Sequence, residues 1–322
     1  MNDRVDPALI AHAAQAIEAG SSSFAAAARL FDVTTRESTL LLYAWCRHCD
    51  DVIDAQQSGH ARASDASVDA SMDTSGTPLA RLTALESATA QACVGTPTAQ
   101  DPVFTGLAEV VRRHGLEHTL LQEHLRGFRM DIEGAHYQTL ADTLLYCYRV
   151  AGVVGLMMAR VMGVRDPALL DRACDLGMAF QLTNIARDIV EDAGIGRIYL
   201  PAEWLSEAGV APDRIDEPDH REALANVAAR LVEAAEPYYT SALAGIGALP
   251  LRSAWSIATA RGVYRAIGRH VKARGGHAWD ARVATSGLEK IWLTARGGAV
   301  ALATRAGSSP QRADSLWQRP KG

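Results

Sequence analysis

The chain has 322 residues, 48% of them hydrophobic and 21% charged, with a net charge of −5. This is an ordinary globular composition, long enough for one large domain or two modest ones. Lys and Arg form no block of like charge, so a nucleic-acid surface is not expected.

Taken in chain order, the first residues lack the apolar core of a signal peptide. Helical periodicity follows almost throughout, predicting helices over 7–19, 21–31, 35–54, 78–94, 103–113, 118–133, 139–163, 167–193, 219–246, 250–274 and 287–306. No stretch alternates with period two over a strand's length, so the expected class is all-α, with a single domain over 1–306. Gly20-Ser21-Ser22-Ser23-Phe24 opens the second of these helices. Hydroxyls and free N–H groups there suit an anion, or serve as a simple N-cap. The third helix contains Cys46-Arg47-His48-Cys49. A redox or zinc role needs a strand-to-helix context or a second ligand pair; neither is present, and the five cysteines read as reduced thiols. Residues 56–77, rich in Ser, Asp, Ala and Gly, predict a mobile loop. His114, His118 and His124 lack an acidic third ligand and read as surface or core histidines. The longest apolar run, Ala151 to Ala159, is ended by Arg160. It falls short of the roughly 20 apolar residues of a membrane span, and a cytoplasmic location with peripheral membrane contact is expected. Gly194 and Gly196 stop the helix over 167–193, and the tail from Gly307 is expected to be loosely ordered.

Two acidic stretches stand out: Asp50-Asp51-Val52-Ile53-Asp54, and Asn184-Ile185-Ala186-Arg187-Asp188-Ile189-Val190-Glu191-Asp192. Residues four apart on a helix are neighbours, about 5–6 Å between Cβ atoms, so Asp50 stacks with Asp54, and Asn184 with Asp188 and Asp192. Stacked like charges repel unless cations neutralise them, and hard divalent ions shared with substrate phosphates suit that task. Two such helices facing each other across a cavity could hold Mg²⁺ ions that stabilise a departing diphosphate. Asp51 and Glu191 lie about 100° off those faces and are expected to orient water or neighbouring side chains; Asp51 is counted among the metal candidates with Asp50, Asp54, Asn184, Asp188 and Asp192. Arg47, one turn before Asp51, can pair with it or with phosphate, and Arg187 and Arg197 flank the second stretch.

These strings resemble the bacterial phytoene synthases, within the squalene/phytoene synthase family. The carriers are Tyr43 to Asp54, Tyr146 to Gly155 (Tyr-Cys-Tyr-Arg-Val-Ala-Gly-Val-Val-Gly) and Gln181 to Asp192, with Arg197-Ile-Tyr-Leu-Pro201 and Leu316-Trp-Gln-Arg-Pro320 in support. The resemblance covers nearly the whole chain and implies the isoprenoid synthase fold, helices around a deep central cavity. It further implies a prenyltransferase of the 15-cis-phytoene synthase type. Two geranylgeranyl diphosphates condense head to head through prephytoene diphosphate to phytoene, at the start of carotenoid biosynthesis. Mg²⁺ is the implied cofactor, with Mn²⁺ as an alternative and no NADPH. Asp50, Asp54, Asn184 and Asp188 are the implied catalytic carboxylate and amide groups. Tyr264 and Arg282 resemble positions that hold the diphosphates. Relatives often carry a lysine in the serine run, where this chain has Ser22.

A reacting carbocation needs a dry cavity. Gly152 and Gly155 are expected to leave room for a prenyl tail, Ala28 to leave the tunnel floor open for a C20 chain, and Tyr146 to face the cavity. The glycines and alanines can equally serve close helix packing. The alternative enzyme is a dehydrosqualene, presqualene diphosphate or squalene synthase using farnesyl diphosphate. A non-catalytic factor of the same fold is disfavoured by the intact acidic stretches. Oligomeric state is not legible.

Overall fold

The structure, a computed structural model, describes residues 5–20, 27–54, 76–98, 101–306 and 311–320; the side chains of residues 16–20 and of Asp54 lie outside that description. So do Ser21, Ser22, Ser23 and Phe24, and most of the segment expected to form a mobile loop. No strand occurs among the described residues, in line with the all-α expectation. The chain packs as two compact units, Met1–Glu133 and Gly134–Gly322.

The first unit contains α1 (Pro7–Gly20), α2 (Val33–Asp54), α3 (Pro78–Cys93), α4 (Pro102–His114) and α5 (His118–Ile132). The sequence punctuates them in a recurrent way. Thr77 and Asp101 accept from backbone N–H groups two or three residues on, and a proline occupies the first helical position after each. Such a proline loses no hydrogen bond and enters with helical φ preset. Gly115, at φ +60°, closes α4. Helix α2 is the centrepiece: Leu41, Leu42, Trp45, Cys49 and Ile53 are buried, and the Trp45 indole donates to Thr89 Oγ1 at 3.3 Å. Of the histidines, His124 is buried between Trp45 and Phe128, and half-buried His114 has its Nε2 2.8 Å from Ser38 Oγ. The described cysteines form no disulfide. Burial, then the Asp50 charge, pushes the Cys46 thiol up to about 12, so it is not a thiolate at neutral pH.

The second unit is built on α8 (Pro167–Gly194), with α6 (Leu140–Cys147), α7 (Val153–Val161), α10 (Arg221–Ile246) and α11 (Leu251–Arg274) packed against it. Short α9 (Ala202–Glu207) packs on α10, and α12 (Gly287–Ala303) packs on α11. The sequence predicts one helix over 139–163. Instead a π-helical turn, Tyr148–Gly152, separates α6 from α7. Its cause is visible in the contacts. A Cβ on Gly155 would lie 2.3 Å from the Ala173 carbonyl oxygen, and one on Gly177 would lie 2.2 Å from the Ala151 oxygen. The two backbones touch, and the widened turn accommodates the approach. Gly152 meets Cys174, Tyr148 and Met178. These glycines therefore serve close packing, and the expectation that Gly152 and Gly155 open space for a prenyl tail is not met. The stretch Leu140–Val161 passes as a membrane span by length and composition, contrary to the sequence expectation, but 61% of its apolar window is buried within the protein.

Residues 311–320, expected to be loose, are tied to α8. Asp175 is fully buried, and Arg312 grips it with Nε and Nη2 at 2.9 and 2.7 Å. Ser241 also donates to Asp175, and Arg172 reaches Ser241 Oγ at 3.0 Å. Arg319 Nε pairs with Asp171 at 2.5 Å, and the Trp317 ring packs on Tyr148. Removing one partner of a buried pair strands the other charge, at a cost of about 3 kcal/mol. Arg312→Ala should lower stability by that amount in chemical denaturation, whereas a tail that packs loosely would leave the midpoint unchanged.

Candidate active site

The first acidic stretch lies in the last turns of α2. Its buried face anchors the helix, while the side chains of Arg47, Asp50 and Asp51 on the other face remain nearly half exposed. Arg47 Nη2 sits 2.7 Å from Asp51 Oδ1, and Nη1 sits 3.5 Å from Asp50 Oδ2. One guanidinium thus bridges two adjacent carboxylates from a turn upstream, the favourable i, i+3 and i, i+4 relations. The Arg47 guanidinium is desolvated by burial, yet the charges of Asp51 and Asp50 hold its pKa above the ordinary value. Sequence reasoning missed Arg81. Buried on α3, it donates from Nη2 to the Ile53 carbonyl at 3.1 Å, where α2 ends and its carbonyls lack helical partners. A cationic group at a helix C-terminus is favourable; the only sequence signal is an arginine on the apolar face of an otherwise amphipathic helix.

The second stretch ends α8. Leu182, Ile185, Ala186 and Ile189 are buried, which turns Asn184, Arg187, Asp188 and Glu191 toward a charged flank. Arg187 grips Asp188 in a two-point fork, Nε to Oδ1 at 2.7 Å and Nη2 to Oδ2 at 2.5 Å. Arg282, from the segment after α11, adds a second guanidinium 3.6 Å from Asp188 and bonds Glu191 at 3.3 Å. Glu191 thereby ties Arg282 to the end of α8. Asn184 donates to Gln181 Oε1 at 3.3 Å, but its own Oδ1 is buried with no hydrogen-bond partner. A buried carbonyl oxygen left unpaired is costly; one turn from a carboxylate, it has the chemistry of a hard-cation ligand. Beyond the helix, Gly196 turns the chain at φ +78°, and the Arg197 N–H donates back to the Asp192 carbonyl at 2.9 Å.

Tyr264 reaches the same cluster from α11. Its ring stacks on Phe180 at 4.2 Å, and burial raises the phenol pKa, with Asp188 acting in the same direction and Arg187 against it. It is a protonated donor at neutral pH. Phe180, one turn before Asn184, was not picked out from the sequence, although that spacing marks it. Tyr146 is buried in an aromatic cluster, stacked on Tyr199 at 4.4 Å and edge-on to Tyr137 at 5.6 Å. Ala28 is buried just before α2.

The cations neutralising the stacked carboxylates are thus arginines: Arg47 on Asp50 and Asp51, Arg187 and Arg282 on Asp188. No group of three or more His, Cys, Asp or Glu among the described residues is close enough to hold a metal without further ligands. The oxygen donors present, carboxylates with one orphaned amide oxygen, nonetheless fit divalent ions that share their coordination with a diphosphate.

Comparison with known proteins finds relatives over nearly the whole chain. The squalene/phytoene synthase family profile matches residues 17–289. A phytoene synthase of Pseudescherichia vulneris is 55% identical over 98% of this chain and 99% of its own. A 15-cis-phytoene synthase of Pantoea ananas is 52% identical over the same shares. Among solved structures, a dehydrosqualene synthase in complex with ligand superposes with a TM-score of 0.79 at 26% identity, covering 92% of this chain and 97% of its own. An all-α chain whose two acidic helices present carboxylates under arginine control, matched nearly end to end by such relatives, belongs to the squalene/phytoene synthase family.

Proposed function

We propose that this chain is a prenyltransferase that condenses two geranylgeranyl diphosphates head to head to phytoene. The observation that carries this reading is the Asp188 cluster, two guanidiniums on one carboxylate beside the orphaned Asn184 oxygen, in a chain matched over 98% of its length by phytoene synthases. Mg²⁺, when bound, supplies Lewis-acid stabilisation of the departing diphosphate. In the first unit Asp50, Asp51 and Asp54 of α2 would hold it, and in the second unit Asn184, Asp188 and Asp192 of α8 would. Both acidic helices serve one reaction, in which each substrate loses its diphosphate in turn.

The arginines set the order of events. In the structure Arg47, Arg187 and Arg282 spend their charge on carboxylates. An incoming diphosphate offers the same forked geometry and more negative charge, and guanidinium pairs with phosphate bidentately. Each arginine then moves from a carboxylate to a phosphate oxygen, which frees carboxylate lone pairs as the site fills. The protonated Tyr264 phenol donates to the developing negative charge of the leaving group. The rings of Phe180 and Tyr264, and of Tyr146 and Tyr199, stack in pairs, and the face of an aromatic ring stabilises a cation electrostatically. Ser21, Ser22, Ser23 and Phe24 complete the phosphate grip, and Arg197 contributes beside Asp192. Ala28 sets the depth available to a C20 tail.

Incubation with geranylgeranyl diphosphate and Mg²⁺ should yield a C40 hydrocarbon that EDTA abolishes; a C30 product made preferentially from farnesyl diphosphate would instead assign the dehydrosqualene reaction. Asp50→Asn and Asp188→Asn should each cut turnover at least 100-fold, as loss of a transition-state contact does, with helical circular dichroism retained. Loss of the helical signal would make these carboxylates structural. Ala28→Phe should shift output from C40 toward C30 when both substrates are supplied, and unchanged product lengths would remove Ala28 from the floor of the tunnel.

A further inference from the structure

Helix α12 presents an apolar face to solvent. Its inner face, Leu293, Gly297 and Ala301, is buried on α11. Gly297 allows a contact so close that a Cβ would lie 2.4 Å from Thr259 Oγ1, and the Trp255 indole of α11 donates to the Thr294 carbonyl at 2.7 Å. The outer face carries Leu288, Ile291, Trp292 and Leu302, exposed by 82, 68, 57 and 61%. With Ala295 and Ala299 between them, these positions follow the 3.6-residue period of one continuous stripe. Nothing among the described residues covers it, and the neighbouring Leu251 of α11 is also exposed.

Charge identifies the occupant. Residues 251–306, which form the α11–α12 hairpin and its connection, contain ten Lys or Arg and two Asp or Glu; the rest of the chain contains 22 and 35. Some of that positive charge is spent inside the unit, Arg265 on Glu236, Lys272 on Glu233 and Arg282 on Glu191. Lys290 and Arg296 belong to α12 itself, with the Arg296 guanidinium 5.5 Å from the Trp292 ring centre, and Arg252 lies at the start of α11 beside Leu251. Leucine, isoleucine and tryptophan on one face with cations at its margins is the pattern of a helix that lies in a lipid interface. A second copy of this chain would bring the same positive hairpin against itself, and like charges so placed repel.

We propose that the outer face of α12 docks on a bilayer carrying anionic headgroups, with Leu288, Ile291, Trp292 and Leu302 entering the interface and Lys290, Arg296 and Arg252 meeting the headgroup charge. This goes beyond the reaction proposed above and does not depend on it. Docked this way, the protein has a lipid phase at hand for a hydrocarbon that water does not dissolve.

The test is co-sedimentation of the full chain with vesicles, without substrate. Binding to phosphatidylcholine vesicles containing 30% phosphatidylglycerol should exceed binding to pure phosphatidylcholine at least tenfold, as an order-of-magnitude expectation from a few surface cations each contributing about 1 kcal/mol. It should weaken at high salt. Ile291→Ser/Trp292→Ser should reduce it at least tenfold. Lys290→Gln/Arg296→Gln should abolish the preference for the anionic vesicle. Ile291, Trp292 and Arg296 are exposed and Lys290 is half-buried on the helix surface, so the melting temperatures of both variants and their turnover of detergent-dispersed substrate should match the parent. Equal binding of parent and variants, or no binding of the parent to anionic vesicles, overturns the proposal. So does a dimer in light scattering that the Ile291/Trp292 variant disperses, because the face then belongs to a second copy. Absence of phytoene synthase activity would leave the vesicle result standing.

Discussion

The contact that the second unit depends on is one in which side chains are missing. Where α8 crosses the π-helical turn and α7, Gly177 and Gly155 bring carbonyl oxygens to within about 2.3 Å of where a Cβ would sit. Helices normally pack at interaxial distances of 8–10 Å set by their side chains; removing the Cβ at both crossings allows the backbones themselves to meet. Helix α8 is 28 residues long and buried along most of its length. Its position is therefore set by packing well before its charged end, and the carboxylate, amide and guanidinium groups of that end inherit a rigid support. Groups that must meet a ligand with sub-ångström tolerance are best carried on such an element.

Electrostatics completes what packing begins. Carboxylates stacked on one helix face cost free energy unless something opposes their charge, and in both units arginines within one or two turns, or from a neighbouring segment, supply the opposition. Forked guanidinium–carboxylate pairs are directional as well as charged, so they hold the acid groups in fixed rotamers. Phosphate competes for the same fork. Under the reaction proposed above, the arginines that stabilise the protein without substrate are also the ones that recognise it.

Much of this was legible in the sequence because helical periodicity and capping residues are local signals. The Thr77-Pro78, Asp101-Pro102 and Asp166-Pro167 starts show in three or four residues, and helix limits follow them closely. The two acidic stretches were legible for the same reason. What escaped depends on contacts between distant segments. Gly152 and Gly155 look alike whether they border a cavity or a backbone, and only the partner at Ala173 and Cys174 decides. The π-helical turn leaves the heptad-like pattern of 139–163 intact, so periodicity could not show it. Arg282 and Glu191 are 91 residues apart, Arg81 and Ile53 are 28 apart, and no spacing rule pairs them. The tail from Gly307 looked loose because its own residues show no helical period, yet its two arginines, Arg312 and Arg319, each find a carboxylate on α8.

That last pairing has a consequence for biogenesis. Asp175 waits for a counter-ion 137 residues downstream. A chain emerging from the ribosome builds its earlier segments first, at roughly 5–20 residues per second, so α8 and α10 can come together while their shared carboxylate still lacks Arg312. Until Arg312 is made, that carboxylate has the Ser241 hydroxyl but not its guanidinium fork. Completion of the second unit is therefore tied to synthesis of residues 311–320, and a product truncated just before Arg312 keeps a buried carboxylate without its guanidinium partner, a mark by which quality control can tell finished molecules from unfinished ones.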